Sequence, residues 1–309
     1  MHLRNHKLDG LIPPLVTPLT TEGEVDAASL EKLVEFLLDA GVSGLFALGS
    51  SGETVYLTDR QRQRVLDIVV GAAAGQVPVL AGAIEPTTAR VIDRAVDWQK
   101  LGAEGIVATA PFYTRTHPAE IERHFRLISE AVEVPLFAYD IPVSVHVKLP
   151  TDLLMRLAAD DVLAGVKDSS GDDAALRETI IAAQQARDFS VLTGHEVMVD
   201  AMLLAGVDGA VPGLANVDPH AYVRLLRLCA AQEWGEAKKE QDRLARLFGI
   251  VRAAPSTTAS GSTAGLGAFK TALAARGVIA GNTMSPPMRA LDAHEANVVR
   301  EHLDAAGLL

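Results

Sequence analysis

The 309-residue chain has one cysteine, Cys229. An internal disulfide and any metal site built on cysteine pairs are therefore excluded. A basic excess is missing too: 39 acidic residues outnumber 28 basic ones, for a formal net charge of −11. That balance opposes non-specific binding to nucleic acid or to an anionic membrane, so neither is expected as a partner. No run of roughly 18 uncharged apolar residues occurs, so no membrane-spanning helix is expected. The segment Met1 to Gly10 is polar and charged, without the apolar stretch of a secretory leader. Together these features predict a cytoplasmic protein.

Several catalytic signatures are absent as well. The histidines His117, His124, His146, His195 and His220 form no His-x-x-x-His or carboxylate triad, so no metal is expected. No Gly-x-Gly-x-x-Gly follows the first strand, which argues against a dinucleotide fold. Gly49-Ser50-Ser51-Gly52 is not followed by Lys-Ser/Thr, so it is no P-loop. Nor does it have the spacing of a hydrolase nucleophile elbow.

What is present is a recurring unit. Apolar strands without polar alternation, as in parallel sheets covered on both faces, alternate with amphipathic helices. The strands fall near Gly10–Pro18, Gly44–Leu48, Val77–Gly82, Gly105–Thr109, Pro135–Tyr139, Leu163–Lys167, Ser190–Thr193 and Gly209–Pro212. The first is interrupted by prolines and must tolerate missing ladder bonds. Three junctions, Ala40–Gly44, Leu101–Gly105 and Ala205–Gly209, end a helix on one glycine and enter a strand on a second. Eight strands alternating with helices predict an α/β fold, a closed (β/α)8 barrel. Beyond about Pro219 the pattern is helical: Tyr222–Ala231, Glu233–Val251, Gly267–Arg276 and Pro287–Ala306, with Ala254–Gly265 as a loop. We place the barrel at residues 1–220 and a helical extension at 221–309. This tail carries no obvious chemistry.

In such barrels reactive side chains sit at the downstream strand ends. The sixth strand ends in Lys167, and a poorly hydrated amine there can attack a ketone to form a Schiff base. The alternative is a lysine that snorkels into water, as most strand-end lysines do. The fifth strand ends in Tyr139, which would lie beside Lys167 as an acid–base partner or merely fill space. The second strand runs into Gly49-Ser50-Ser51-Gly52-Glu53, whose N–H groups and hydroxyls suit a carboxylate or phosphate. The fourth strand leads to Tyr113, and the seventh to Gly194-His195-Glu196.

With these residues in order, the chain resembles the dihydrodipicolinate synthase / N-acetylneuraminate lyase family. Gly49-Ser50-Ser51-Gly52-Glu53 is similar to its Gly-(Ser/Thr)-(Ser/Thr)-Gly-Glu loop, and Tyr139-Asp140-Ile141-Pro142 to its Tyr-Asn-x-Pro. Gly165-Val166-Lys167-Asp168-Ser169-Ser170-Gly171 is similar to its Schiff-base lysine segment. The resemblance implies a (β/α)8 barrel with a C-terminal helical extension, usually a homotetramer. It implies that Lys167 forms an imine with pyruvate or a 2-keto acid, that Tyr139 moves protons, and that no cofactor beyond this covalent imine is needed. Ser50 and Ser51 would hold the carboxylate, Ser50 also linking to Tyr139. Tyr113 would be shared with a neighbouring subunit's site. Gly49, Ser144, His146, Gly194, Glu196 and Val211 complete the substrate contacts that the resemblance implies.

Three departures bear on the substrate. Ser144 stands where dihydrodipicolinate synthases usually carry an arginine suited to a second carboxylate. Asp140 replaces the usual Asn, and of the Asp-Glu pair of sialate lyases only Glu196 is kept, beside His195 and Val197. The expectation is reversible aldol cleavage of a 2-keto-3-deoxy sugar acid, of the N-acetylneuraminate or 2-keto-3-deoxygluconate type. The alternatives are 4-hydroxy-tetrahydrodipicolinate synthesis and, more remotely, a non-catalytic 2-oxo-acid-binding regulator.

Overall fold

A computed structural model describes residues 7–186 and 188–309. The leader-free reading of Met1–Gly10 falls mostly on residues 1–6, which lie outside the described residues. Eight strands form one sheet: β1 Gly10–Leu11, β2 Leu45–Ala47, β3 Val79–Gly82, β4 Gly105–Thr109, β5 Leu136–Asp140, β6 Gly165–Asp168, β7 Ser190–Thr193 and β8 Gly209–Ala210. Between them run α1 Ala27–Asp39, α2 Asp59–Ala73, α3 Thr88–Lys100, α4 Pro118–Ala131, α5 Pro142–Val145, α6 Thr151–Ala159, α7 Asp173–Ala183 and α8 Val199–Ala205. After β8 come α9 Pro219–Ala230, α10 Trp234–Leu247, α11 Gly261–Ala275 and α12 Ala293–Ala305.

The strand order is β1-β8-β7-β6-β5-β4-β3-β2, every pair parallel. The ring closes between β2 and the proline segment that follows β1. Pro14 bridges Phe46, Leu15 N–H donates to the Phe46 carbonyl (2.9 Å), and Phe46 N–H donates to the Pro13 carbonyl (3.0 Å). Proline has no N–H to give, so this seam uses its carbonyl and shortens β1 to two residues. All five residues of β4 and of β5 are buried, as expected for strands packed on both faces.

Local chemistry explains the helix ends. Asp26 caps α1 by accepting from Ser29 N–H, and Thr58 and Gln61 form a capping box on α2. Gly41, Gly102 and Gly206 take φ of 82°, 98° and 108°, the left-handed region in which a Cβ is costly. Two expectations in the tail need correction. The loop expected over Ala254–Gly265 already gives way to α11 at Gly261, because Ser260 accepts from Thr263 N–H and caps it. The helix expected from Pro287 begins only at Ala293, where Asp292 and Glu295 form a capping box. The four-residue α5 is an addition. Pro142 occupies its first turn and His146, at φ 61°, ends it.

Helix α9 packs on β1 as the eighth helix of the outer ring. Position 220 lies in its first turn, and α10 to α12 form the helical extension. Among the described residues no helix is long and apolar enough to cross a membrane.

Candidate active site

Parallel pairing sets the site's first row. Thr109 on β4 pairs with Tyr139 on β5, and Tyr139 pairs with Lys167 on β6. Paired residues project to the same side of a sheet, so the three side chains stand abreast at the downstream end of the barrel. The Lys167 Nζ lies 4.2 Å from the centroid of the Tyr139 ring and 5.1 Å from that of Phe46. Phe46 meets Tyr139 edge-on, with centroids 6.3 Å apart. Lys167 is thus 7% exposed and held between two aromatic faces.

The Tyr139 hydroxyl is 3.4 Å from Ser50 Oγ. Burial alone would raise the phenol's pKa. The charge of Lys167 and the hydrogen bond with Ser50 outweigh it and hold the phenol below its ordinary value.

Ser50 and Ser51 begin a compact turn. Gly52 N–H donates to the Gly49 carbonyl (3.1 Å) and Glu53 N–H to the Ser50 carbonyl (3.1 Å). Among the described residues, the N–H groups of Ser50 and Ser51 have no protein acceptor, which leaves them for a ligand. The turn does not open a helix directly, because α2 starts only at Asp59. A Cβ on Gly49 would come within 2.7 Å of the Phe46 ring, so glycine lets the turn pass over that ring.

The turn is strapped to the C-terminal extension. Glu53 and Lys270 of α11 form an ion pair, both side chains fully buried. Glu53 Oε2 also accepts from Ser285 N–H (2.7 Å), and Lys270 Nζ donates to the Thr283 carbonyl (2.7 Å). A second ionic group fixes the ends of β5 and β6. Lys148 contacts the Asp140 carboxylate and lies 3.0 Å from Asp168 Oδ2. Burial works against a charged Lys148, but the two carboxylates more than offset it and raise its pKa. Asp140 therefore has a cationic partner that an asparagine would not need.

A cavity of about 310 Å³ opens against Ser50 and Thr109, the two neighbours of Tyr139. Ser50, Thr54, Thr109 and Ser144 line it, as do the apolar Ile84, Phe112 and Ile141. α11 adds Ser262 and Leu266. The tail expected to lack chemistry thus contributes both to the cavity wall and to the Glu53 strap. Among the described residues no charged side chain lines this cavity.

The other expected residues are more scattered. Tyr113 is 94% exposed at φ 77°, on a separate hollow it shares with Arg115 and His146. Within the chain it makes no hydrogen bond or ring contact with Tyr139 or Lys167. Glu196 spends both carboxylate oxygens on the backbone, accepting from Gly213 N–H (2.8 Å) and Leu214 N–H (3.0 Å). Enclosure of that carboxylate pushes it up to about 7, against the pull of the two donors and of Lys167. His195 Nε2 lies 2.6 Å from Asp173 Oδ1. A Cβ on Gly194 would overlap the Ser169 hydroxyl. Val211 is buried just after β8, its N–H donating to the Thr193 carbonyl (2.8 Å).

Phe46, Thr54, Thr109, Lys148 and Lys270 join the site without a motif that marks them in the sequence. Thr109 was within reach: once the strand ends are aligned, it is Tyr139's neighbour on β4.

Comparison with known proteins agrees with this geometry. Residues 7–306 match the model of the dihydrodipicolinate synthetase family. An uncharacterized DapA-like lyase of Halobacterium salinarum is 34% identical over 302 residues, covering 98% of this chain and 95% of its own. A 4-hydroxy-tetrahydrodipicolinate synthase of Phenylobacterium zucineum is 30% identical over 296 residues, 96% of this chain and 97% of its own. Among solved structures, YagE, a prophage protein of the dihydrodipicolinic acid synthase family from E. coli K12 in complex with pyruvate, superposes with a TM-score of 0.90. It is 27% identical and covers 97% of this chain and 99% of its own. Eight parallel strands with their outer helices, the helical extension and a match along nearly the whole chain lead to one assignment: this chain belongs to the dihydrodipicolinate synthetase family of lyases.

Proposed function

We propose that the protein is a Schiff-base lyase that cleaves a 2-keto-3-deoxy sugar acid reversibly to pyruvate and an uncharged aldehyde. The Lys167 amine adds to C2 of the 2-keto acid, and loss of water leaves a protonated imine. Tyr139, with Ser50 beside it, carries the protons of that step. The free N–H groups and hydroxyls of Ser50 and Ser51 hold the carboxylate. Tyr139 then takes the proton of the C4 hydroxyl. The C3–C4 bond breaks, its electrons pass into the imine, and the aldehyde leaves. Protonation at C3 and hydrolysis release pyruvate and free Lys167. The imine serves as the electron sink.

The observation that carries this choice is the cavity bordered by Ser50 and Thr109, lined among the described residues by hydroxyls and apolar side chains and by no cation. Aspartate semialdehyde brings a second carboxylate, which a cation would be needed to neutralise. The second reading, 4-hydroxy-tetrahydrodipicolinate synthesis, has in its favour relatives that carry that name. The reading includes Tyr113 lent to a neighbour's site in a cytoplasmic homotetramer, which would account for a tyrosine left 94% exposed.

The test is a panel of 2-keto-3-deoxy acids assayed for pyruvate release, with growth of a lysine auxotroph as the counter-test. Release from a sugar acid without complementation is expected. Complementation without release from any sugar acid would replace this reading with the second. Pyruvate binding with no turnover of any substrate would leave only a regulator.

A further inference from the structure

Thr54 and Thr109 hold the least explained polar atoms near the site. The two residues are 1% and 2% exposed, and neither hydroxyl has a hydrogen-bond partner among the described residues. A buried hydroxyl without a partner forfeits its solvation and gains nothing in return. Both residues line the cavity that Ser50 also borders, and Thr109 is next to Tyr139 in the β4–β5 register; each hydroxyl oxygen is itself closed to solvent, so a rotation about χ1 must turn it toward a ligand. The carbonyl of Thr109 is fixed by His124 Nε2 at 3.1 Å, so the backbone that carries this hydroxyl is held. Ile84, Phe112, Ile141 and Leu266 line the same cavity and their side chains offer no hydrogen bond.

We infer that Thr54 and Thr109 are specificity-determining residues that receive the hydroxyl groups of an uncharged hydroxyaldehyde, the carbon skeleton of which packs on the apolar wall. This deepens the pyruvate-lyase reading and rests on it. In the synthetic direction, C3 of the pyruvate enamine bonds to the aldehyde carbon, and the aldehyde oxygen takes up a proton and becomes the C4 hydroxyl. The two threonines act on the remainder of the aldehyde, beyond the reacting carbon. A site built to bond a hydroxyl discriminates against an analogue without one, because its own polar groups then stay unpaired.

The experiment measures aldol addition to pyruvate with glyceraldehyde, propanal and succinic semialdehyde as probes. They share a terminal aldehyde and differ in hydroxyls and charge. For the wild type, kcat/KM with glyceraldehyde is expected to exceed that with propanal by about 10- to 100-fold, and the semialdehyde to be worst. Thr109→Val and Thr54→Val should each lower the glyceraldehyde value by about tenfold or more and leave propanal within about twofold. Thr109→Ser, which keeps a hydroxyl, should restore the preference. Borohydride labelling of Lys167 with pyruvate should match the wild type in all variants. The inference is overturned if both aldehydes lose equally in the valine variants, if neither loses, or if the semialdehyde is preferred. Absence of a Lys167 label in the wild type would instead remove the lyase reading itself, and this inference with it.

Discussion

The Tyr139 hydroxyl is 3.4 Å from Ser50 Oγ, and the Lys167 amine sits over the face of the same ring, 4.2 Å from its centroid. One atom can therefore serve both the imine nitrogen and the substrate oxygens. Tyr139→Phe preserves the ring packing with Phe46 and Lys167 and removes only that atom. The expected outcome is a folded enzyme whose kcat falls about 10²- to 10⁴-fold, the usual share of a positioned acid–base group. A variant within tenfold of the wild type would show that the proton moves by another route. At this scale the sequence was most readable where a strand end carried a single reactive side chain, as with Lys167 and Tyr139. It was least readable where residues look ordinary. Thr109 is a β-branched strand residue like any other until its register beside Tyr139 is known. Lys148 finds Asp140 only because α5 turns the chain back over the end of β5.

Elements carry the next level of constraint. The Glu53–Lys270 pair joins the turn after β2 to α11, and the same turn reaches Ser285, 232 positions further along the chain. No local pattern signals such a pairing, which is why the tail appeared empty of chemistry. Breaking a buried pair leaves an uncompensated charge, so Lys270→Met is expected to cost about 3–5 kcal/mol in urea unfolding. The double variant Glu53→Gln/Lys270→Met should recover part of that loss. Equal stability of wild type and Lys270→Met would show that the pair is not a strap.

His124 gives α4 a different tie. Its Nε2 faces the Thr109 carbonyl, which can only accept, so Nε2 carries the proton and Nδ1 accepts from Thr88 Oγ1 (3.0 Å). Burial pulls this imidazole down from 6.5 to about 4, against the Thr109 hydrogen bond. Between those values the unfolded chain binds the extra proton and the native state does not. Stability from this group is therefore complete above pH 6.5 and is lost as pH falls toward 4, by about 3 kcal/mol in all. Urea midpoints of the wild type and His124→Gln, measured from pH 7 to pH 4, should converge as the pH drops. Parallel curves would contradict the assignment.

At the scale of the whole molecule, alternation of apolar runs and glycine-ended helices was enough to predict eight parallel strands and a barrel. It could not predict how the ring closes, because the prolines after β1 hide a seam made through the Pro13 carbonyl and the Leu15 N–H. Nor could it assign the extension a part in the site, since Ser262, Leu266 and Lys270 arrive there only by tertiary packing. The barrel end, the strapped turn and the extension converge on one amine between two aromatic rings. The most direct test of that convergence is reduction with borohydride in the presence of pyruvate, followed by peptide mass spectrometry of the whole protein. The account predicts one carboxyethyl group per chain, on Lys167, and none in Lys167→Ala. A wild-type protein without an adduct, or one labelled on a different lysine, would contradict it.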